Sequence, residues 1–330
     1  MGMSLSEQFK DRHVLVIGDA MIDCYITGKV NRISPEAPVP ILEVKKRDYR
    51  LGGSANVALN LEAVGAIPIL CSVIGNDNKA DVFLQMMDNH QLDTAGILKA
   101  HGRRTTTKYR IIGNNKNQML RVDEEDDAIL PENEQERLIQ RVDEIVDSLP
   151  IEAIIFEDYD KGMLNRNILQ KLIAIGKKKG IFIAVDPKRR NFLNYEGVDL
   201  FKPNLQELKV GLNIERDISI EELEDIMRKF SHDCQISMVM TTLSEYGISI
   251  YDKNNDSFYH LPSFVRDISD VSGAGDTVIS IATLLFLNKQ DSKTTARIAN
   301  LAGGIVCEYA GVVPVPLHRL ETEIDKCPIE

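Results

Sequence analysis

The sequence lacks any excess of basic residues: 39 lysines and arginines face 50 aspartates and glutamates, so the formal net charge is −11. Proteins that bind the phosphate backbone of nucleic acids normally carry a clustered excess of Lys and Arg. The composition therefore argues against a nucleic-acid partner, and any phosphate site must be local. With 330 residues and 43% hydrophobic content, the chain is long enough for one large α/β domain with a buried core, or for two smaller domains.

Cysteine pairs and long apolar runs are also missing. The cysteines stand far apart, with no CxxC pair and no histidine at metal-ligand spacing; they are Cys24, Cys71, Cys234, Cys307 and Cys327. We interpret them as reduced thiols of a cytoplasmic protein. The longest largely apolar run, Val278 to Leu287, is about half of the ~20 residues that a membrane-spanning helix needs. With no signal-peptide pattern at the N-terminus, no membrane partner is expected.

The first apolar run, His13 to Ile17, is rich in β-branched residues and ends at Gly18-Asp19. It predicts a buried strand with a binding loop at its carboxyl end. A helix from Gly53 to Val64 and a strand from Ile67 to Val73 follow, and this alternation predicts a parallel sheet. No GxxxxGK[ST] occurs in the chain, and no GxGxxG follows the first strand, which weakens the P-loop and dinucleotide-binding interpretations.

The alternation breaks between about Ala95 and Val122. Residues 105–112 and 118–122 predict two strands around a Gly113-Asn114-Asn115 turn, and this hairpin could join the extended stretch Val39 to Val44 in a small accessory sheet.

No internal repeat or linker divides the chain. A single domain over residues 1–330 is therefore expected, with lid strands drawn from about 20–46 and 95–122. The acidic run Glu124 to Asp127 is interpreted as a solvated turn rather than a metal site, since like charges adjacent in sequence usually face water.

The most informative segment runs from Asp270 to Thr277 and reads DVSGAGDT. Two glycines separated by a small residue allow backbone N–H groups to converge on an anion at a helix N-terminus. Such a turn suits phosphoryl transfer, which depends on positioning and electrostatic stabilisation, and Asp276 is placed to accept a hydroxyl proton. The alternative is an ordinary helix cap.

This segment resembles the C-terminal signature Asp-Thr-x-Gly-Ala-Gly-Asp of the ribokinase-like (PfkB) kinases, with Val271 in the place of Thr. The resemblance implies an ATP-dependent phosphotransferase with an alcohol acceptor. It also implies a three-layer α/β/α fold with a mostly parallel central sheet and a small β-sheet lid. Asp276 would be the catalytic base, and the amides of Gly273, Ala274 and Gly275 would form an anion hole.

A second family signature is similar to the stretch Gly52-Gly53-Ser54-Ala55-Asn56. By this resemblance Gly52, Gly53 and Asn56 contact substrate hydroxyls; glycine permits close approach, and the Asn amide both donates and accepts hydrogen bonds. A Gly-Gly turn beside a helix cap is the alternative. In the family's first-strand motif the later aspartate, here Asp23, binds the sugar, while Asp19 is the competing candidate or a loop cap.

The nucleotide side of the site is also implied by the resemblance. Asn204 and Glu207 resemble an Asn-x-x-Glu motif that organises Mg²⁺ and its waters near the ATP phosphates, although the same spacing is an ordinary helix start. The remaining implied cofactor-binding residues are Thr241, Ser244, Gly247, Asn300 and Gly303. Small residues there would equally permit helix packing. A monovalent cation near residues 270–272 assists some relatives and is left open.

The proline-punctuated segment Arg32 to Ile41 resembles bacterial D-glycero-β-D-manno-heptose 7-phosphate kinases, as do Asp158-Tyr159 with Lys161-Gly162 and Asp186-Pro187-Lys188. This implies phosphorylation of the anomeric hydroxyl to the 1,7-bisphosphate, a step toward ADP-heptose and the lipopolysaccharide core. A phosphorylated substrate needs cations away from ATP. The candidates are Lys108, Arg110, Arg121, Lys188 and Arg189.

Other interpretations stay open: a PfkB kinase for a hexose phosphate or nucleoside, or a non-catalytic sugar- or nucleotide-binding sensor. Relatives commonly pair subunits through their lids, so a homodimer is expected. Members of the heptose subfamily are often fused to a C-terminal nucleotidyltransferase. This chain ends about twenty residues after the last family element, so it is expected to be a kinase only.

Overall fold

The computed structural model describes residues 4–114, 117–264 and 266–326. The strands are β1 (His13–Gly18), β2 (Ala20–Ile33), β3 (Pro40–Gly53), β4 (Ile67–Gly75), β5 (Ile97–Ala100), β6 (Thr107–Ile112), β7 (Gln118–Glu124), β8 (Ala153–Glu157), β9 (Phe182–Asp186), β10 (Leu200–Phe201), β11 (Met238–Thr242), β12 (Ile248–Asp252) and β13 (Ser257–Leu261). The helices are α1 (Leu5–Phe9), α2 (Ser54–Ala63), α3 (Asn78–Asn89), α4 (Glu132–Ser148), α5 (Arg166–Lys178), α6 (Leu205–Gly211), α7 (Ile220–Asp233), α8 (Ala274–Leu287), α9 (Ser292–Val306) and α10 (Leu317–Lys326).

Nine of the described strands form the central sheet, in the order β13-β12-β11-β10-β9-β8-β1-β4-β5. Every pair from β11 to β5 is parallel, and β12 and β13 add an antiparallel edge. The prediction of a mostly parallel sheet is confirmed. The edge strand β13 and the terminal helices α1 and α10 were not predicted.

Side chains alternate between the two faces of this sheet, most clearly in β1. Val14 and Val16 belong to one apolar core, whereas Leu15 and Ile17 belong to the other. The first core is covered by α2, α8 and α9, and the second by α4, α5 and α7. A strand buried on both faces is typical of a parallel sheet between helical layers. The three-layer α/β/α prediction is confirmed.

A separate four-stranded sheet has the order β3-β2-β6-β7. Strand β2 pairs antiparallel with β3 and parallel with β6, and β6 and β7 form the predicted hairpin. Asn115, in the predicted turn, lies outside the described residues.

Two predicted boundaries of this small sheet need correction. Strand β5 pairs with β4 in the central sheet, because its Leu98 and Ala100 are buried there. Strand β3 continues beyond residue 46 to Gly53, and its last three residues are buried.

The carboxyl ends of the parallel strands meet at one edge of the central sheet, which is where α/β proteins place their ligands. Glu157 ends β8, Asp186 ends β9 and Lys202 directly follows β10. The N-terminus of α8 reaches the same edge, since carboxylate oxygens of Glu157, Asp186 and Asp276 lie within 4.8 Å of one another. The fold therefore gathers charged side chains at a single point.

In the part of the chain that the structure describes, no helix combines the length and the apolar character needed to cross a bilayer. Cys24, Cys71, Cys234 and Cys307 are free thiols. Cys327 lies outside the described residues.

Candidate active site

Asp276 is buried in the first turn of α8, with 5% of its surface exposed. Each carboxylate oxygen accepts a hydrogen bond: Asn56 Nδ2 donates to Oδ2 over 2.7 Å, and the Tyr159 hydroxyl donates to Oδ1 over 3.0 Å. Burial raises the pKa of Asp276 to about 6, although both hydrogen bonds favour the ionised form. The carboxyl group is thus ionised at neutral pH and keeps lone pairs that can accept a proton.

Two further carboxylates lie beside Asp276. Glu157, Asp186 and Asp276 are all buried and close enough to share one ion. The Lys202 ammonium group, which is also buried, contacts Asp186 Oδ2 at 2.8 Å and offsets part of this charge. Burial raises the pKa of Glu157, and the negative charges of Asp186 and Asp276 raise it further, so Glu157 favours its protonated form.

The turn that leads into α8 depends on glycine. Gly273 has φ +82°, a backbone region that favours glycine. A Cβ at this position would lie 2.8 Å from Asn56 Nδ2, and a Cβ at Gly275 would lie 3.3 Å from Lys202 Nζ. The first amides of a helix have no partner within it, so this turn offers donors to an anion.

The residues predicted for the sugar lie where β2 and β3 meet. A Cβ at Gly52 would lie 2.3 Å from Asp23 Oδ2, so glycine leaves room for this carboxylate. Asp23 also makes an ion pair with Arg110 of β6. The chain continues through Gly53, with φ +59°, into α2, where Asn56 reaches Asp276. The structure thus places Asp23 against the Gly-Gly turn that positions Asn56.

Asp19, the competing candidate for the sugar contact, binds the backbone of the loop that follows β8. Its Oδ2 accepts hydrogen bonds from the backbone N–H groups of Tyr159 at 2.9 Å and Lys161 at 3.2 Å. Burial raises the pKa of Asp19, and these two hydrogen bonds act in the opposite direction. This geometry favours the loop-cap interpretation of Asp19.

A cavity of about 940 Å³ lies in front of Asp276, a volume typical of small-molecule sites. Most residues predicted for the nucleotide and the anion line it: Gly273, Ala274, Gly275, Asn204, Glu207, Ser244, Gly247, Asn300 and Gly303. Thr241 does not, because its side chain is fully buried, and Thr242 lines the cavity instead. Successive residues of a strand point to opposite faces, so Thr242, and not the predicted Thr241, faces the cavity.

Asn204 and Glu207 form a reciprocal cap at the start of α6. Each side chain accepts a hydrogen bond from the other residue's backbone N–H, over 2.8 Å. Glu207 also makes an ion pair with Lys188, whose ammonium group lies 3.9 Å from Asp186. Lys188 was predicted to hold the substrate phosphate, but it lines the same cavity as the nucleotide-site residues. Lys188 lies there because it follows the end of β9 at Asp186 by two positions and pairs with Glu207 of α6.

Three of the other predicted cations lie in the small sheet, and each of these is paired with an acid. The fifth candidate, Arg189, is exposed at the start of the short helix Arg189–Asn194 that follows β9, and is therefore not part of this group. Lys108 contacts Asp123 at 3.2 Å, Arg121 contacts the same carboxylate at 2.9 Å, and Arg110 pairs with Asp23. None of these three cations lines the 940 Å³ cavity among the described residues. They are therefore separate from the nucleotide-site residues.

Tyr159, Glu157 and Lys202 were not assigned a role at Asp276 from the sequence. The available signal was weak: a charged residue at or just after the end of an apolar strand, as in AIIFE of β8 and LFK of β10. For Tyr159 there was none beyond the subfamily resemblance, because its contact with Asp276 joins residues 117 positions apart.

The oxygen donors near Asp276 fit a hard divalent cation, which prefers carboxylates. Both Glu157 oxygens and Asp186 Oδ1 are buried without a hydrogen-bond partner among the described residues. Asp186 and Glu207 also border the cavity. These side chains could therefore hold a cation beside an anionic ligand.

Comparisons with known proteins agree with this geometry. Residues 11–318 match the family described as pfkB family carbohydrate kinase. A protein named "Bifunctional protein HldE" from Helicobacter acinonychis is 39% identical over 311 residues, which are 94% of this chain and 65% of that protein. The chain thus spans less than two thirds of the length of that relative.

Solved structures show the same fold. The tetrameric inhibited form of phosphofructokinase-2 from Escherichia coli has a TM-score of 0.77 at 16% identity and covers 96% of this chain and 99% of its own. Ribokinase from Arabidopsis thaliana, complexed with ribose and ATP, has a TM-score of 0.70 at 14% identity, over 94% of this chain and 99% of its own. Since the family match extends over nearly the whole sequence, the chain belongs to the pfkB family of carbohydrate kinases and is a sugar kinase that transfers a phosphoryl group.

Proposed function

We propose that this kinase uses ATP to phosphorylate the anomeric hydroxyl of D-glycero-β-D-manno-heptose 7-phosphate, giving the 1,7-bisphosphate. The observation that carries the proposal is the environment of Asp276. Its buried carboxylate is held by Asn56 and Tyr159 and lines a cavity of about 940 Å³. A carboxylate whose pKa is raised to about 6 is well matched to accept a proton near neutral pH.

In the proposed reaction, Asp276 accepts the proton of the anomeric hydroxyl while that oxygen attacks the γ-phosphorus of ATP. The new O–P bond forms as the bond to the ADP oxygen breaks, and Asp276 later returns the proton to solvent. Asn56 and Tyr159 keep the carboxylate in one orientation, which reduces the cost of reaching the reactive geometry. The amides of Gly273, Ala274 and Gly275 would donate to the transferring oxygens, where charge develops.

ATP would occupy the 940 Å³ cavity, with the base near Asn300 and Gly303 and the phosphates toward the start of α8. Mg²⁺ would be held near Asn204 and Glu207 through waters, with Asp186 as a further oxygen ligand. When bound, the ion neutralises charge on the β- and γ-phosphates. Lys188 and Lys202 border the same space and would add positive charge to it.

The choice of a heptose phosphate is supported by the segment Arg32 to Ile41 and the Asp158-Tyr159-x-Lys161-Gly162 stretch. The small sheet supplies cations apart from the nucleotide cavity, as a substrate with its own phosphate requires. An ADP-release assay should test this with the heptose phosphate, fructose 6-phosphate, ribose and adenosine. We expect kcat/KM to be highest for the heptose phosphate. A higher value for fructose 6-phosphate or adenosine would assign a different acceptor, and no ADP release with any of the four would favour the sensor alternative.

We also propose that two copies pair through the small sheet. Large apolar residues are exposed on it, including Val44 at 44% and Leu120 at 57% exposure. Sedimentation at micromolar concentration should give a dimer, and a monomer would contradict this assignment. A cytoplasmic location fits both an ATP-dependent reaction and the free thiols.

A further inference from the structure

Glu125 lies between two lysines that come from different parts of the fold. Its Oε2 is 3.1 Å from Lys108 Nζ on β6, and its Oε1 is 2.9 Å from Lys161 Nζ in the loop after β8. The two lysine side chains are only 13% and 15% exposed. Glu125 belongs to the acidic run that was expected to be solvated, yet both of its carboxylate oxygens are paired with lysines. Two ammonium groups that converge on one carboxylate make a place suited to an oxyanion.

Both lysines stand on the sugar side of Asp276. Lys108 is the register partner of Asp23, and paired residues of neighbouring strands project to the same face. Lys161 follows Tyr159 by two positions, so the Cα atoms of these residues are at most about 7 Å apart. The Tyr159 hydroxyl in turn contacts Asp276. Neither lysine lines the nucleotide cavity. An anion bound between them would lie close to the acceptor sugar and apart from ATP.

We propose that Lys108 and Lys161 form the subsite for the phosphate that the acceptor sugar already carries, and that Glu125 fills this subsite until that phosphate displaces it. The inference rests on the proposed function in one respect, namely that the acceptor is a phosphorylated sugar. A phosphate monoester has three terminal oxygens and a charge near −2, so it can engage both ammonium groups more strongly than one carboxylate can.

Glu125 is well placed for such an exchange. Its side chain is 29% exposed, so it can rotate into solvent when a phosphate binds the two lysines. Partial burial acts to raise the pKa of Glu125, but hydrogen bonds from Lys161 and Lys108 outweigh burial and hold the pKa below its usual range. The group is thus a charged competitor at neutral pH. A sugar without a phosphate has no group that can replace it, so Glu125 would discriminate against such sugars.

The other cations of the small sheet fit this role less well. Arg110 is engaged with Asp23, the residue predicted to bind sugar hydroxyls. Arg121 and Lys108 both contact the Asp123 carboxylate, but the Arg121 side chain is 54% exposed and lies toward solvent, whereas that of Lys108 is 13% exposed.

Direct binding of inorganic phosphate tests the subsite without the sugar. Isothermal titration would be run with excess Mg·AMPPNP, so that the nucleotide phosphate sites are filled. We expect K108M and K161M to weaken phosphate binding at least tenfold and K161R to retain it. E125Q should strengthen binding about three- to tenfold, a gain that a folding defect would not give. The matched control is K99M, because Lys99 also pairs with a carboxylate, that of Asp81, but on β5; it should bind as wild type does.

Wild-type phosphate affinity in both K108M and K161M, or weaker binding in E125Q, would overturn the proposal. An ADP-release assay distinguishes a failure of this subsite proposal from a failure of the proposed function. With the phosphorylated sugar, K161M should raise the sugar KM at least tenfold and leave the ATP KM unchanged. If the wild type consumes no phosphorylated sugar but the titrations follow the expected order, the proposed function fails and the subsite stands. If the wild type is active and K161M keeps its sugar KM, the subsite is wrong and the function stands.

Discussion

Replacing Asp276 by Asn removes the charge of the proposed base while keeping its size and one carbonyl oxygen. Loss of a general base alone typically slows a reaction about 10² to 10⁴-fold. We therefore expect kcat of D276N to fall by that factor, with nucleotide binding close to that of the wild type. Steady-state ADP release and a nucleotide titration measure the two quantities separately.

The same substitution should make the stability difference between D276N and the wild type depend on pH. The pKa of Asp276 is about 6 in the folded state and 3.8 as an ordinary aspartate. Between these values only the folded state keeps the proton, so the wild type loses stability as pH rises from about 4 to 6. At 1.36 kcal/mol per pKa unit the loss is about 3 kcal/mol. D276N does not carry this charge, so its free energy of unfolding relative to the wild type should rise by up to about 3 kcal/mol across that window and then stay constant.

Urea unfolding at a series of pH values from about 4 to 8 measures this difference. The Asn amide places an NH₂ group opposite one of the two donors, Asn56 or Tyr159, which adds a cost that does not depend on pH. Only the pH-dependent part of the difference in unfolding free energy between D276N and the wild type therefore reports on the buried charge. A difference between D276N and wild type that is flat over this range would refute the assignment of a raised pKa to Asp276.

Asp270 provides the matched control in the same glycine-rich segment. Its carboxylate accepts hydrogen bonds from the backbone N–H groups of Ser272 at 2.9 Å and Gly311 at 3.0 Å. Burial acts to raise its pKa, but these hydrogen bonds outweigh burial and lower it. Its stabilising effect is thus present above the unfolded pKa and is lost as pH falls through the folded value. D270N should destabilise the protein at neutral pH and slow turnover less than D276N. If D270N is inactive and D276N nearly normal, the base has been misassigned.

Three other variants probe the groups around Asp276. Asn56→Ala should raise the sugar KM more than the ATP KM, by an amount equivalent to about 1 to 3 kcal/mol; an equal loss for both ligands would contradict a sugar contact. Tyr159→Phe removes a hydrogen bond that lowers the pKa of Asp276, so the acid limb of kcat/KM near pH 6 should move to higher pH. An acid limb that does not move would show that the pH profile reports the titration of a group other than Asp276. Gly273→Ala should cost about 1 to 3 kcal/mol of stability and reduce kcat, because φ is +82° and the new Cβ would lie 2.8 Å from Asn56 Nδ2. A wild-type melting temperature and kcat would contradict this.

Residues in short local motifs could be predicted from the sequence. Asp276 and Gly273 stand in one glycine-rich turn, and Asn56 follows a second such turn; it is the resemblance of both turns to the PfkB signatures that marks these residues as candidates. The mostly parallel sheet was predictable from a different pattern, since apolar runs such as His13 to Ile17 alternate with helical patterns along the chain outside about residues 95–122.

Contacts set by strand register could not be predicted in the same way. Glu157 lies beside Asp186 only because β8 and β9 pair and end at the same edge of the sheet, and Asp276 meets both because α8 begins at that edge; these residues are far apart in the chain. Thr241 and Thr242 differ only in which face of β11 each occupies, and neighbouring threonines give no pattern that separates them. Ile97 to Ala100 looked like a lid strand because it borders the hairpin, but its pairing with β4 takes it into the central sheet.

The most direct test of the central claim is to identify the product formed from Mg·ATP and D-glycero-β-D-manno-heptose 7-phosphate by ³¹P NMR. We predict a second sugar phosphate resonance, coupled to the anomeric proton, that grows in step with ADP while the 7-phosphate signal persists. D276N at the same concentration should give neither ADP nor the new resonance on the same timescale. If no anomeric phosphate forms while the wild type phosphorylates a different acceptor, the proposed reaction is wrong.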